Sequence, residues 1–478
     1  MPLTTPTSGM KMQPAIKTLS IRMLHHYLDI DLEFSEGLNV IYGKNGKGKT
    51  TVLHIIANIL ELDFSRFMHI KFNSISVASF NGDTLDLVQS DQGLIYASFN
   101  NSLIGFSEDA QHPVLSSSEE EKIKNAFGGR PVYLPAYRSI LEKVKGTNNP
   151  YENPRAVDYD TIKRKELSEI TKENPSFVRH RDEQRANMVA FKTSQCRDWF
   201  GPFVPIIRYP GLAEVLDIIT EEFNEAQMSS TQAQSQMLNS IFIGVFNSIT
   251  SKDATPSDGE VEPLLERVKT ALDDTQTNFS LQSVTASQQL AHAVRQAKFA
   301  GDQDNDATKR VLKLYADMLE RLKEENQRAF KRLRTFETAV NKFLDGKHLE
   351  ISPHYARNHN RWREYAFVRT SNDSVYPLST LSSGERQILT MLFTASRMST
   401  ASTGIFLIDE PELSLHIDWQ RIILANLEQQ AANRQIIACT HSPEVGADHP
   451  DAVQIFAPTI NNTREHPEDD ESYLEDLS

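Results

Sequence analysis

The chain has 478 residues, of which 39% are hydrophobic and 24% are charged, and its formal net charge at pH 7 is −14. This composition is typical of a globular protein of two or three domains, and no apolar run approaches the roughly 20 residues that span a bilayer, which excludes a membrane-spanning helix. An acidic surface repels nucleic acid on average, so any contact with DNA would require a local basic patch.

The predicted elements begin after residue 14. Residues 1–14 are polar and rich in Pro and Thr, which indicates a flexible tail rather than a signal peptide, and we expect a cytoplasmic protein without membrane contact. Residues 15–145 contain the alternating and continuous apolar runs of an α/β lobe. Strands are predicted at 15–23, 29–34, 38–42, 70–80, 84–88, 95–99 and 132–134, with a hairpin turn at 81–83.

Residues 43–50 read Gly-Lys-Asn-Gly-Lys-Gly-Lys-Thr, directly after a predicted strand and directly before apolar residues at helical spacing. This context is that of a phosphate-binding loop, in which backbone N–H groups and the helix N-terminus face the phosphates. In such a loop Lys49 reaches the β- and γ-phosphates, and the Thr50 hydroxyl holds Mg²⁺. The predicted nucleotide-binding residues of this segment are Gly43, Lys44, Asn45, Gly46, Lys47, Gly48, Lys49, Thr50 and Thr51.

The composition changes near residue 146, where a Gly- and Asn-rich linker precedes a region rich in Glu, Lys, Gln, Ala and Arg. Residues 146–346 contain few strand signals, so we predict a helical insertion domain with helices at 214–246, 261–272 and 307–344. The last of these helices is basic. Its charged face is either a solvated surface or a surface that binds DNA or a protein partner.

Residues 347–463 return to an α/β pattern and contain three further motifs. The first is Leu-Ser-Ser-Gly-Glu-Arg-Gln at 381–387, where Ser382 or Ser383 can cap a helix, and a capped helix N-terminus beside a glycine favours anion binding. The acidic residues 464–478 that end the sequence predict a disordered tail, which either solubilises the protein or docks a basic partner.

The second motif is a continuous apolar run, 405–408, that ends with Asp409 and Glu410. Such a run is typical of a strand buried in a parallel sheet, and parallel sheets place ligands at their carboxyl ends. Because successive side chains point to opposite faces, we expect Asp409 to support Mg²⁺ and Glu410 to orient or deprotonate the attacking water. The third motif, 435–442, is another buried strand. We expect it to run parallel to the Asp409 strand, which would place His441 near the γ-phosphate.

In this order the motifs resemble those of an ABC-type ATPase head. They correspond to a Walker A loop at 43–50, a signature at 381–385, a Walker B strand at 405–410, a D-loop at 411–416 and the switch histidine His441. The residues of these motifs are similar to those of the RecF/OLD-like branch of the AAA-family ATPases, which is related to SMC heads. The resemblance implies an α/β P-loop fold, with a mixed sheet and flanking helices, assembled from both chain ends around a helical insertion. It also implies ATP and Mg²⁺ as cofactors.

The resemblance further implies that two copies pack head to tail, as a homodimer or a higher oligomer of dimers, with each ATP between them. One copy would supply the catalytic residues Lys49, Glu410 and His441 and the metal-binding residues Thr50 and Asp409. The other copy would supply the signature residues Ser382, Ser383, Gly384 and Glu385.

These heads carry a Mg²⁺-contacting glutamine in a Q-loop, which we cannot place in this sequence. The corresponding position is occupied by residues 132–138. Arg138 is the candidate there, either for contacting nucleotide or for coupling the site to the insertion.

Stand-alone heads of this build resemble the ATPase subunits of PARIS-type and Septu-type anti-phage systems. This implies a separate effector protein, expected to be a nuclease, and a DNA or phage-protein trigger. OLD-like enzymes carry a metal-dependent TOPRIM nuclease after the head, but only residues 442–478 follow His441, so nuclease activity in this chain is not expected. The alternatives are a RecF-like DNA-repair ATPase, against which the net charge of −14 weighs, and, least favoured, the ATPase subunit of a transporter.

Overall fold

In the computed structural model of the protein, the described residues are 15–141, 156–173, 180–250, 306–352, 365–396, 404–431 and 434–461. The chain forms two compact units. The first contains Met1–Gly211 and Thr390–Ser478, and the second contains Leu212–Leu389. The predicted tails at 1–14 and 464–478, the start of the linker at 146 and the helix at 261–272 lie outside the described residues, and the predicted domain boundaries stay predictions.

The strands are β1 Ile16–Leu24, β2 Leu28–Glu33, β3 Leu38–Tyr42, β4 Ser74–Ser79, β5 Thr84–Gln89, β6 Ile95–Phe99, β7 Ser102–Ile104, β8 Val132–Leu134, β9 Lys347–Ile351, β10 Ala366–Thr370, β11 Val375–Tyr376, β12 Phe406–Asp409, β13 Ile436–Thr440, β14 Val453–Ile455 and β15 Thr459–Ile460. The α-helices are α1 Lys49–Leu60, α2 Ser117–Phe127, α3 Arg138–Leu141, α4 Ala156–Glu173, α5 His180–Phe200, α6 Leu212–Thr250, α7 Asp306–Asn341, α8 Ser383–Ala395 and α9 Ile417–Ala431.

The first unit contains an antiparallel sheet of seven strands in the order β15-β2-β1-β4-β5-β6-β7. Its strands alternate between buried and more exposed residues, as β2 does with Leu28, Ile30 and Leu32 buried, because one face of an antiparallel sheet packs on the core. The predicted hairpin joins β4 to β5, and Gly82 at its turn has a φ of 88°. A positive φ of this size favours glycine, so the turn residue and the strand pairing agree.

A second sheet of five strands, in the order β14-β3-β13-β12-β8, forms the centre of the same unit. Every neighbouring pair in it is parallel. All residues of β12 and β13 are buried, which explains their continuous apolar sequences, since parallel strands are covered on both faces. Because β3 and β8 come from the first part of the chain and β12 to β14 from the last, both chain ends build one sheet, as predicted.

A buried ion cluster holds the carboxyl end of α1 against the helices that follow β8. The Arg208 guanidinium donates to both oxygens of Glu61 and to Glu166, with a distance of 2.7 Å between Arg208 Nη2 and Glu166 Oε1. Lys165 Nζ lies 3.6 Å from Glu61 Oε2, and Arg130 Nη1 lies 3.6 Å from Glu166 Oε2. Burial alone would raise the pKa of Glu61, but Arg208 and Lys165 more than offset it and lower that pKa. We call these five residues the Arg208 cluster.

The second unit contains a three-stranded antiparallel sheet, in the order β11-β10-β9, and the long helices α6 and α7. The two helices pack antiparallel, since Glu222 pairs with Arg332 at 3.3 Å and Ser230 bonds Asn326 at 2.5 Å. Phe223 stacks on Tyr365 with ring centroids 4.4 Å apart, which fixes α6 beside the residues that precede β10. Among the helices that the structure describes, none is both long enough and apolar enough to cross a lipid bilayer.

Candidate functional site

Three predicted motifs meet at one edge of the five-stranded sheet. Strand β13 pairs in parallel with β12 on one side and with β3 on the other. The carboxyl ends of these strands therefore lie together, and they lead into the loop 43–50, the carboxylates Asp409 and Glu410, and His441. The predicted parallel pairing of the Asp409 and His441 strands is confirmed. An edge of this kind is where α/β sheets bind ligands.

The loop 43–50 has the backbone conformation that its glycines permit. Gly46 and Gly48 have φ values of 75° and 98°, which residues with a side chain rarely adopt. A Cβ on Gly43 would lie 3.1 Å from the Cβ of Phe456, so the loop passes close to the chain after β14. Lys44, Asn45, Gly46 and Lys47 are exposed, whereas Thr51 is half-buried on the first turn of α1.

Lys49 is buried although it carries an ammonium group. Its Nζ donates to the carbonyl oxygen of Gly43 at 2.6 Å and to that of Lys44 at 2.9 Å. A buried charge needs such partners. The amine is thus held inside the loop, at the position from which a phosphate oxygen could replace the carbonyls as its acceptor.

Thr50 and Asp409 form a direct pair across the loop and the sheet edge. Thr50 Oγ1 donates to Asp409 Oδ2 at 2.8 Å, and the other oxygen, Oδ1, is buried without a hydrogen-bond partner in the described part of the chain. Burial raises the pKa of Asp409 to about 6; the Thr50 hydrogen bond opposes this effect, and the neighbouring Glu410 adds to it. An unsatisfied carboxylate oxygen beside a hydroxyl fits Mg²⁺, which prefers oxygen ligands.

Glu410 follows Asp409 in a strained backbone conformation. Its φ is 47°, and a residue other than glycine in this region costs about 1–3 kcal/mol. The fully buried Arg138 stabilises the turn, because its Nη1 donates to the Asp409 carbonyl at 3.1 Å and its Nη2 to the Glu410 and Pro411 carbonyls at 3.0 Å. Burial lowers the pKa of Arg138 although nearby carboxylates oppose this.

The hydrogen bonds of Arg138 are relevant to its two predicted roles, which are contact with nucleotide and coupling of the site to the insertion. Every described bond of its guanidinium goes to a backbone carbonyl, including that of Pro135 at 3.3 Å. The observed contacts hold the turn after β12 in place, and nucleotide contact by Arg138 stays a prediction.

His441 lies between two carboxylates. Its Nδ1 is 3.1 Å from Glu412 Oε1 and 3.5 Å from Glu410 Oε1, and its side chain is 39% exposed. The same Glu412 oxygen accepts hydrogen bonds from the Thr440 hydroxyl at 2.6 Å and from the backbone N–H groups of His441 and Ser442 at 3.0 and 3.1 Å. Glu412 is thus a site residue that the sequence reasoning passed over as part of a turn. Its only sequence signal is a second acid two residues after Glu410.

The signature motif has the predicted helix cap within the second unit. Ser382 and Ser383 are exposed at the start of α8, whereas Gly384 and Glu385 are buried. The Ser382 hydroxyl accepts from the Glu385 N–H at 3.3 Å, and Glu385 Oε2 accepts from the Ser382 N–H at 2.8 Å. This reciprocal pair is a capping box. Lys347 of β9 also donates to Glu385, at 2.9 Å, which anchors the cap to the sheet of that unit.

Within the described ranges, no group of three or more His, Cys, Asp or Glu side chains is arranged to hold a metal ion. Thr50 and Asp409 would therefore need phosphate oxygens and water to complete an ion's coordination, as Mg²⁺ does in sites that bind nucleotides.

Comparisons with known proteins identify the family of the chain. A family described as an AAA ATPase domain matches residues 15–445. The Retron Ec83 probable ATPase of Escherichia coli is 32% identical over 171 residues, which make up 33% of this chain and 30% of that protein. The match therefore spans about a third of each of the two chains.

Solved structures of SMC heads were also found. The Smc head domain of Pyrococcus furiosus, solved with an extended coiled coil and bound to the C-terminal domain of ScpA, is 12% identical, with 94% of this chain and 97% of that chain covered and a TM-score of 0.39. The Smc head domain of Pyrococcus yayanosii is 12% identical with the same coverage and a TM-score of 0.37. At this identity and TM-score, we infer nothing about this chain from these structures.

Proposed function

The chain belongs to the AAA ATPase domain family, and on that premise we propose that it binds ATP with Mg²⁺ and hydrolyses it at the edge of the five-stranded sheet. The observation that carries the proposal is the convergence of Lys49, the Thr50–Asp409 pair, Glu410 and His441 at the ends of adjacent parallel strands.

Each side chain has a role that its position supports. Lys49 exchanges the loop carbonyls for oxygens of the β- and γ-phosphates, and the loop N–H groups bind the phosphates. Thr50 and Asp409 hold Mg²⁺, which when bound neutralises negative charge on the phosphates. Glu410 orients or deprotonates the attacking water, and His441 contacts the γ-phosphate.

We propose further that two copies close on the nucleotide. The exposed residues Ser382 and Ser383 stand at the N-terminus of α8, where a partial positive charge favours an anion. In this proposal they meet the γ-phosphate bound by the other copy, with Gly384 and Glu385 supporting the cap. Loss of the γ-phosphate on hydrolysis then releases the interface.

The finer proposal is that this ATP-dependent dimer senses a DNA or phage-protein trigger and controls a separate effector, a nuclease, in anti-phage defence. The motif resemblance to defence ATPases supports it, and so does similarity to a protein named as the probable ATPase of a retron. The acidic net charge of −14 favours it over a RecF-like role in binding DNA.

The test uses Glu410→Gln and Lys49→Ala, with Glu108→Gln as a matched control because Glu108 is an exposed carboxylate outside the site. Glu410→Gln is expected to bind ATP, to stop phosphate release and to accumulate a dimer, measured by light scattering after size-exclusion chromatography. Lys49→Ala is expected to lose ATP binding in calorimetry. Phosphate release by Glu410→Gln at the wild-type rate would refute the role of Glu410, and unchanged ATP binding by Lys49→Ala would refute the phosphate loop.

The defence proposal has a separate readout. Glu410→Gln purified with ATP from cells that carry the natural gene neighbourhood is expected to retain the effector, and Lys49→Ala is expected to abolish protection against phage. Purification without a partner, together with phage plating that does not depend on the protein, would contradict the defence role and leave the ATPase proposal standing.

A further inference from the structure

Glu412 is a carboxylate that the proposed hydrolysis does not use, yet it is buried at the centre of the site. Only 5% of its surface is exposed. Its Oε1 atom accepts from the Thr440 hydroxyl and from the N–H groups of His441 and Ser442, all within 3.1 Å. These two N–H groups follow the last residue of β13 and have left the sheet ladder, so the carboxylate supplies the acceptor that the ladder no longer provides.

The same oxygen also lies 3.1 Å from His441 Nδ1. At this distance the negative charge of the carboxylate attracts the Nδ1 side of the ring, so Glu412 favours a ring orientation with Nδ1 toward itself. A carboxylate beside one ring nitrogen favours the tautomer that carries its proton on that nitrogen.

Glu412 also sets the distance between the two side chains proposed to act on the γ-phosphate and the water. His441 Nδ1 is 3.5 Å from Glu410 Oε1, longer than its distance to Glu412. Glu410 is therefore the weaker partner of the ring. Glu412 fixes the ring while leaving Glu410 available for water.

From this geometry we propose that Glu412 is a positioning residue for ATP hydrolysis, which acts through His441 by fixing both its backbone and its ring. The proposal rests on the proposed ATPase function. It requires that the effect of Glu412 on turnover disappears when His441 is absent.

The kinetic test compares Glu412→Ala, His441→Ala and the double variant, with Glu412→Gln as an isosteric second variant. Loss of the partner that orients a metal-ligating histidine costs roughly 10–100-fold, and we expect a factor of the same order for the partner that orients His441. Glu412→Ala is expected to lower kcat by that factor and to change KM for ATP by less than about threefold, because the ring that Glu412 positions acts on the γ-phosphate most strongly in the transition state. Glu412→Gln, whose carbonyl oxygen accepts the same bonds, is expected to recover most of the loss.

In the His441→Ala background, Glu412→Ala is expected to lower kcat by no further factor, since the two residues act as a unit. Glu444→Gln is the matched control, because Glu444 lies three residues after His441 and pairs with the partly exposed Arg421 at 2.6 Å. A Glu412→Ala effect that multiplies fully with that of His441→Ala would overturn the proposal, and so would a rise in KM alone.

A second measurement does not need turnover. Long-range ¹H–¹⁵N spectra of histidine-labelled protein, with the His441 signals assigned by His441→Gln, report the tautomer of the ring. A wild-type ring protonated at Nδ1 that loses this preference in Glu412→Ala supports the proposal. An unchanged tautomer overturns it. Absence of ATP hydrolysis by the wild-type protein would refute the proposed function, whereas the spectra would still decide whether Glu412 orients the ring of His441.

Discussion

Replacing Arg208 by methionine is expected to destabilise the first unit by about 3 kcal/mol. The guanidinium bonds both oxygens of Glu61 and those of Glu166, and the two acids are only 2% and 5% exposed. Removing one partner of a buried ion pair costs about 3–5 kcal/mol, because it leaves uncompensated charge. Lys165 and Arg130 remain within 3.6 Å of the acids and compensate in part, which places the loss at the lower end.

The assay is urea unfolding followed by circular dichroism. With an m-value of about 3 kcal/mol/M, a loss of about 3 kcal/mol lowers the midpoint by roughly 1 M. The control is the triple variant Glu61→Gln, Glu166→Gln and Arg208→Met, which leaves no buried charge from the three residues and is expected to recover at least half of the shift. A midpoint for Arg208→Met within about 0.2 M of wild type would refute the reasoning, and so would a triple variant no more stable than Arg208→Met.

Two further predictions follow from buried charges. The folded-state pKa of Glu61 lies below its ordinary value of 4.5. Its contribution to stability is therefore complete above about pH 4.5 and is lost as pH falls through the lower folded value. Glu61→Gln should make the urea midpoint fall less steeply between about pH 5 and pH 3, and equal slopes for the variant and wild type would contradict this. Arg138→Lys is expected to lower kcat roughly 10–100-fold with little change in ATP affinity, because one ammonium cannot replace the fork that holds three successive carbonyls around Glu410; wild-type phosphate release would show that the fork is dispensable.

Local patterns in the sequence predicted much of the first unit. Strands β3 and β6 have the bounds that their apolar residues indicated, and the hairpin at 81–83 formed as its Asn-Gly-Asp sequence indicated. The ATPase family inferred from the motifs is confirmed by the family that matches residues 15–445. The short strands β7, β14 and β15 were not predicted, since two or three residues carry no periodicity; β8 is equally short but was predicted from its continuous apolar residues before Pro135.

Contacts between residues far apart in the sequence were not predicted. The acid at 412 reads as one polar residue in a turn, and only the return of the chain at β13 brings the N–H groups of His441 and Ser442 to it. The arginine at 138 reads as a candidate for nucleotide contact, yet its guanidinium bonds carbonyls more than 270 positions away, at Asp409 to Pro411. In each case the partner is set by strand order, which no local pattern encodes.

By itself, therefore, the sequence determined the chemical groups of this protein and the elements that carry them. Neighbouring residues determine three of these elements: the glycine-rich loop, the buried strand that ends in two acids, and the strand that ends in histidine. Steric limits on the backbone and the spacing of apolar residues act within one turn or one strand, so they can be identified in the sequence. Tertiary structure alone decided which backbone groups Glu412 and Arg138 bind. Parallel pairing of β3, β13 and β12 brings Lys49, Asp409 and His441 to one edge, because neighbouring strands that run in the same direction and in this register end at the same edge of the sheet.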